Sequence, residues 1–262
     1  KSDDRIHLSC LDDDRVLYYI SNTDCRSERN TTAMIHRILK GLAPLAALAG
    51  AALVTGCDNM NIHIGDGDGV PLAELDMSGA APTELVLAGP EKVIVTEGEK
   101  LDIAVSGEDA AVDAVRFSLD EGSLGLSRAK DMGKIGGVAT VRVTMPSLTA
   151  MVLAGSGDIE AASMRGKADV TIAGSGKAKV ARFDADSLDL TIAGSGSFEG
   201  AGTVDMLDMT VAGSGKADMA GLKVGNADIS VAGSGDAEFA SDGKVDASIM
   251  GSGTITVNGR AD

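Results

Sequence analysis

The chain has 262 residues, 34 of them glycine, with no Trp, four Phe, two Tyr and a formal net charge of −16. So few large aromatics exclude a conventional globular core, and Ala, Val, Ile, Leu and Met suit a narrow, repeated one better. Up to Gly56 seven basic residues balance seven acidic ones, so the excess (32 acidic against 16 basic) falls after it; this opposes nucleic-acid binding and electrostatic attachment to anionic lipid.

Residues 1–33 show no helical period, no sustained alternation and no apolar run. At Met34 the text changes to "MIHRILKGLAPLAALAGAALVTGC", with Arg37 and Lys40 as a basic region and Gly41 to Val54 as an apolar run. That order is the grammar of a secretory signal, and the run is too short for an ordinary membrane-spanning helix. Val54-Thr55-Gly56-Cys57 resembles the bacterial lipobox, with Val54 where Leu is commoner. The resemblance implies cleavage between Gly56 and Cys57 and a covalent lipid on Cys57. A plain signal peptide with a chance cysteine, or a short buried helix, is the plainer alternative. On the lipoprotein reading residues 34–56 are the signal peptide, Met34 is the start, and 1–33 are an upstream extension, disordered or not translated. Cys10 and Cys25 then drop out and leave no disulfide framework. The several acyl chains of a bacterial lipoprotein would hold the protein to a membrane, where one alone binds marginally. Asp58 resembles an inner-membrane retention signal, so the expected location is the cell envelope, on the periplasmic face of the inner membrane or at the outer membrane.

Residues 57–71 read as a linker after the lipidated cysteine, polar and glycine-rich and ending in Pro71. Asp66-Gly67-Asp68-Gly69 has part of a calcium loop but lacks the other ligands. His63, the one histidine after Cys57, stands in this tether.

From residue 149 a phrase recurs. Gly-Ser-Gly begins at Gly155, Gly174, Gly194, Gly213, Gly233 and Gly251. A period near 20 residues is the mark of a solenoid. Before each corner the residues alternate, with Leu188, Leu190 and Ile192 on one side and Asp189 and Thr191 on the other. After it Ala178 and Val180 point in and Lys177 and Lys179 out, a pattern repeated by Ala217 and Met219 and by Ala237 and Phe239. A third, less regular segment closes each rung. The expected fold is all-β, a parallel β-helix with rungs of about 19–20 residues, in which every rung turns the same glycine corner and the corner serines stack. The spacings of 18 to 20 break the hexapeptide frame of left-handed solenoids, which favours a right-handed coil. A sandwich or meander of hairpins is the alternative.

Residues 72–148 read as irregular rungs and a cap, and 149–262 as regular rungs, within one domain spanning 72–262. "LVLAGPEKVIV" and "DIAVSGEDAAV" each set a strand before a glycine corner, at Gly89 and Gly107, and "GSLGLSRAKD" and "VATVRVTMPSL" continue as strands. The C-terminal "GTITVNGRAD" has little to close its end, so homo-association through the end of the β-helix is expected to be open to it.

The strands leading into "VTMPSLTAMVLAGSGDIEA", the Pro146-Ser147-Leu148 step and the AGSG rungs resemble the head GIN domain family, from about residue 72 onward. The resemblance implies a right-handed β-helix, an envelope location and an adhesin-like role. The rungs run on to the last residues and leave no room for an outer-membrane barrel, so the lipid anchor is expected to replace autotransport.

Five residues before each later corner stands an aspartate: Asp169, Asp189, Asp208, Asp228 and Asp246. Stacked, they would form one outward acidic column able to attract divalent cations or a cationic partner. The plainer reading is a solvated stripe softened by Lys167, Lys177, Lys216 and Lys223, since calcium wants an oxygen cage that a flat column does not supply. Thr171, Thr191, Thr210, Ser230 and Ser248 form a second column, a hydroxyl ladder or, by analogy of fold, a recognition surface. Without Trp, Tyr or a usable histidine after Cys57, no sugar platform or catalytic base can be assembled. No catalytic residue, metal or cofactor is expected beyond the lipid, and partners would be the membrane and an envelope protein or glycan. A self-associating scaffold and a degenerate carbohydrate-active enzyme are the alternatives.

Overall fold

The computed structural model describes residues 69–120, 122–129 and 137–260. Residues 1–33, the signal segment 34–56 and the tether through Asp68, with Gly56, Cys57, Asp58 and His63, lie outside the described residues.

The regular half is a parallel β-solenoid, and the whole coil makes about five turns. Its strands run nearly from corner to corner: β10 is Lys177–Gly194, β11 Ser197–Gly213 and β12 Lys216–Gly233. Each pairs in parallel with the rung on either side, which rules out the hairpin meander. Register shifts between Val180 and Phe183 and between Ala185 and Ser187 break the ladder within a turn. With the Gly-Ser-Gly corner they divide each coil into a post-corner, a middle and a pre-corner face.

The corner demands glycine for a backbone reason. Gly194 has φ +120°, and a Cβ there would lie 2.5 Å from the carbonyl oxygen of Gly174 one rung away. The third corner residue is constrained from inside, because a Cβ on Gly196 would meet Ile172 Cγ2 at 2.5 Å. The alternation read from the sequence is realised inside the coil. Leu188, Leu190 and Ile192 are buried before the corner, and Ala178 and Val180 after it. All four phenylalanines (Phe117, Phe183, Phe198 and Phe239) are fully buried, so the scarce aromatics all serve the core.

The N-terminal half is wound out of chain order. Strands β1 (Glu84–Ala88) and β2 (Lys92–Glu97) form one rung around Gly89-Pro90-Glu91. Beyond it lie β5 (Ser123–Arg128) and β6 (Thr140–Met145), and on its other side β7 (Ala150–Gly155) and β8 (Asp158–Ala161). Strand β1 pairs in parallel with both β5 and β7, and β2 with both β6 and β8. The first rung of the chain is thus held between two later ones, which the order of the residues does not reveal.

One expectation fails here. "DIAVSGEDAAV" is not a parallel rung: β3 (Asp102–Ser106) pairs antiparallel with β6, and the residues past Gly107 form a helix, α1 (Asp109–Ala114). Alanine-rich text with acidic residues at its start favours a helical turn over a strand. Strand β4 (Val115–Asp120) then pairs antiparallel with β5, and Val70 bridges to Phe117 on β4. These antiparallel strands close the N-terminal edge of the coil. At the other end β14 (Val245–Gly251) pairs with β12 and β15 (Thr254–Asn258) with β13 (Asp236–Ser241). Among the described residues no strand covers the outer edges of β14 and β15.

Candidate functional site: an acidic column on the pre-corner face

The expected column forms. Asp169 lies in register with Asp189, Asp189 with Asp208, Asp208 with Asp228 and Asp228 with Asp246. Parallel pairing fixes this, because a constant offset from the corner becomes a constant height on the face, with neighbours about 4.8 Å apart. Asp169 and Asp189 are half-buried, and Asp208, Asp228 and Asp246 are exposed. Toward the N-terminal end the column continues through Ala150 to Glu84. Burial, then the charge of Asp189 and that of Glu84, pushes the Asp169 carboxyl up to about 6. Asp169 therefore loses its charge as pH falls through about 6, and a cation placed beside it would favour the charged form.

The hydroxyl column runs alongside. Thr171, Thr191, Thr210, Ser230 and Ser248 are in mutual register. It starts only at Thr171, since Val152 and Val86 hold the same positions in the earlier rungs. Nearer the corner stand Ala173, Ala193, Ala212 and Ala232. The face is a flat strip of carboxylate, hydroxyl and methyl lines, and its polar part belongs to the later rungs.

The lysines expected to soften the stripe stand elsewhere, apart from Lys167 on the same strand as Asp169. Lys177 and Lys216 lie on the post-corner face, where Lys177 binds Glu199 and Lys216 lies 3.5 Å from Asp218. Lys223 reaches Asp242 at 3.8 Å. The post-corner face is arranged to neutralise itself. Lys92 pairs with Glu160 at 2.8 Å and Lys179 with Glu199 at 3.2 Å, each across rungs. Signs alternate in part: one column runs from Lys92 to Asp158 to Lys177 and, past Ser197, from Lys216 to Asp236, while the next runs from Glu160 to Lys179 and then through three acids, Glu199, Asp218 and Glu238.

Sequence reasoning missed one buried ion pair. Glu91 is fully buried and accepts a 2.5 Å hydrogen bond from Arg128 Nε, while Arg128 also donates to the Gly137 carbonyl at 2.9 Å. Its second oxygen, Oε2, has no hydrogen-bond partner. The signal was Gly89-Pro90-Glu91 standing where later corners read Gly-Ser-Gly: Asp158 donates its N–H to the Glu91 carbonyl as Lys177 does to Gly157.

Among the described residues no group of His, Cys, Asp and Glu is placed to hold a metal ion. A shallow depression of about 350 Å³ near the C-terminal end is lined by Lys223, Glu238, Asp242 and Asn258. Its polar groups bind one another: Asn258 Nδ2 donates to Glu238 at 3.1 Å, and Lys223 pairs with Asp242. Cys57 and the cleavage step at Gly56 lie outside the described residues.

Comparison with known proteins agrees with this architecture. A crystal structure described as a "putative adhesin" from Bacteroides fragilis is 18% identical, with a TM-score of 0.58, over 70% of this chain and 90% of that one. A "putative lipid binding protein" from Parabacteroides distasonis is 21% identical over 68% and 93% of the two chains, with a TM-score of 0.47. A "putative adhesin" from the same species is 17% identical over 68% and 93%, with a TM-score of 0.48. At such identities the first likeness shows the fold alone. No curated protein matches the chain. The family model described as "Putative auto-transporter adhesin, head GIN domain" matches residues 81–261, which take in every rung from β1 to β15, and the chain therefore belongs to the head GIN domain family.

Proposed function

We propose that this protein is a bacterial envelope lipoprotein, anchored through lipid on Cys57, whose β-solenoid presents a rigid acidic surface to a protein or glycan of the envelope. The role is non-catalytic and adhesin-like. The contrast between the two faces carries the reading. Post-corner columns mix lysines with carboxylates that pair with them, whereas pre-corner aspartates repeat one sign in five successive rungs with no lysine in their column. A column of like charge concentrates negative potential on one face, which supports a role in attracting a cationic group from outside.

Protease shaving of intact cells, with membrane fractionation and a Cys57→Ala control, tests the reading. Cleavage on whole cells places the solenoid outward, as adhesion requires. Resistance together with inner-membrane fractionation, the outcome Asp58 suggests, would replace adhesion with a periplasmic partner. A soluble protein unaffected by Cys57→Ala would overturn the anchor.

The second reading, a self-associating scaffold, is favoured by the open edges of β14 and β15.

A further inference from the structure

We infer that the C-terminal end of the solenoid is a self-complementary docking surface, on which a second copy of this chain seats across a two-fold axis through the Gly251-Ser252-Gly253 corner. This deepens the scaffold reading and does not depend on the lipid anchor.

The backbone supplies the first argument. Thr254 donates its N–H to Gly235, so Thr254 and Thr256 turn their polar backbone groups toward β13, and Ile255 and Val257 turn theirs out of the coil. Ala227 donates to the Lys244 carbonyl, so Lys244, Asp246 and Ser248 face β12. Val245, Ala247 and Ile249 present their N–H and C=O groups at the open edge. Parallel edges of this kind are templates for another strand.

The side chains supply the second. A two-fold axis through Ser252 lays β14 antiparallel on β15 of the second copy. Residues equally far from Ser252 then meet: Ile249 faces Ile255 of the second copy, and Ala247 faces Val257. These are the residues whose backbone groups point out of the edge, so each pair can exchange its hydrogen bonds. On the outer side Ser248 meets Thr256 and Asp246 meets Asn258, a hydroxyl pair and an acceptor beside a donor. Past the strand ends Lys244 meets Arg260 of the second copy, two exposed cations that water and salt screen, while Asp246, which ends the acidic column, meets no carboxylate. In the interior rungs Ile229 and Val231 are fully buried, but Ala247 and Ile249 are only half-buried. Seating a second copy would complete their burial.

The opposite end decides between a closed dimer and a filament. There β3 and β4 lie antiparallel across the coil, and Val70 bridges to β4. A head-to-tail contact would have to match parallel edges to this closed end. The isologous contact closes on itself.

Cysteine cross-linking in native membranes tests this on the full chain with Cys10 and Cys25 changed to Ser. Ser252→Cys puts two thiols on the axis, within the Cα separation a disulfide tolerates. Oxidation is expected to give a covalent dimer and no higher species. Ser234→Cys, one rung inward, is expected to give none, and the parent chain reports any free thiol at Cys57. Ala247→Pro removes an N–H that faces out of the edge and leaves the ladder to β12 intact, so it should abolish the Ser252→Cys cross-link and lower Tm only to that of the undimerised parent at high dilution, with the strand content by circular dichroism unchanged. Absence of the cross-link, an equal cross-link at position 234, or a cross-link that survives Ala247→Pro would each overturn the proposal.

Discussion

The pre-corner and post-corner faces share one backbone, one period and one corner, yet their outward residues follow opposite rules. After the corner both signs occur, and Lys177 and Lys179 both bind Glu199 across the stack. Before the corner aspartate follows aspartate in strict register. A solenoid needs each rung to find its neighbour at one register, and the cross-rung pairs Lys92–Glu160 and Lys179–Glu199 favour that register. The aspartate column adds nothing of the kind. One face therefore contributes ion pairs to the stack, and the other carries the acidic column on which the proposed binding rests.

Breaking what the faces share should have the largest effect. Gly194→Ala imposes φ +120° on a residue with a side chain and drives its Cβ toward the Gly174 carbonyl. It should destabilise by about 3–4 kcal/mol, which lowers Tm by about 10 °C. Equal loss of both faces is expected, read by thermal unfolding and by proteolysis within β10 and β11. A change under about 1 kcal/mol would mean that the corner relaxes freely.

Next comes Glu91, where the repeated corner ends. Glu91→Ala strips the buried partner from Arg128, and Arg128 is one-fifth exposed. The expected loss is about 2–3 kcal/mol, below the full range for a buried pair because water reaches the guanidinium. Glu91→Gly restores the glycine of later corners but should cost as much, since Arg128 loses the same carboxylate. Recovery of stability by glycine would show that corner geometry matters there rather than the ion pair.

Charge reversals sharpen the contrast directly. Glu199→Lys sets a third cation beside Lys177 and Lys179 and should lower Tm by about 2–3 °C at low salt, an effect that fades as salt rises. Asp228→Lys, between Asp208 and Asp246, should leave Tm unchanged or raise it slightly. If both reversals had the same sign, the two faces would not differ in function.

The regular half is legible in the sequence for the same reason that it is regular. A fixed offset from Gly-Ser-Gly puts Asp169 through Asp246 in one line, and strand alternation sorts Leu190 from Thr191 without knowledge of any distant contact. What stays hidden depends on pairing between remote segments. Nothing local says that β1 lies between β5 and β7, or that Ile103 and Val105 run antiparallel to β6. Glu91 is likewise an ordinary acidic residue until Arg128 arrives from 37 residues away. The lysines deceive because nearness along the chain is not nearness on a face: Lys177 is only eight residues from Asp169 but lies past a corner.

The smallest expected effect isolates the acidic column itself. Burial and the charges of Asp189 and Glu84 raise the Asp169 carboxyl from 3.8 to about 6, so the folded protein holds a proton there that the unfolded chain releases. Between these values the folded state binds more protons, and stability must rise as pH falls through 6 and level off below about 4. At pH 7 the ionised carboxylate is a burden on the fold. Asp169→Asn removes that burden and should unfold at a slightly higher temperature than the parent at pH 7. The difference should shrink as pH falls and vanish near pH 4, where the parent carries its own proton. A divalent cation that engages the column would shrink the difference at pH 7 as well, by stabilising the parent alone. A constant offset at every pH would instead assign the effect of Asp169→Asn to packing, and the column would then be an ordinary solvated stripe.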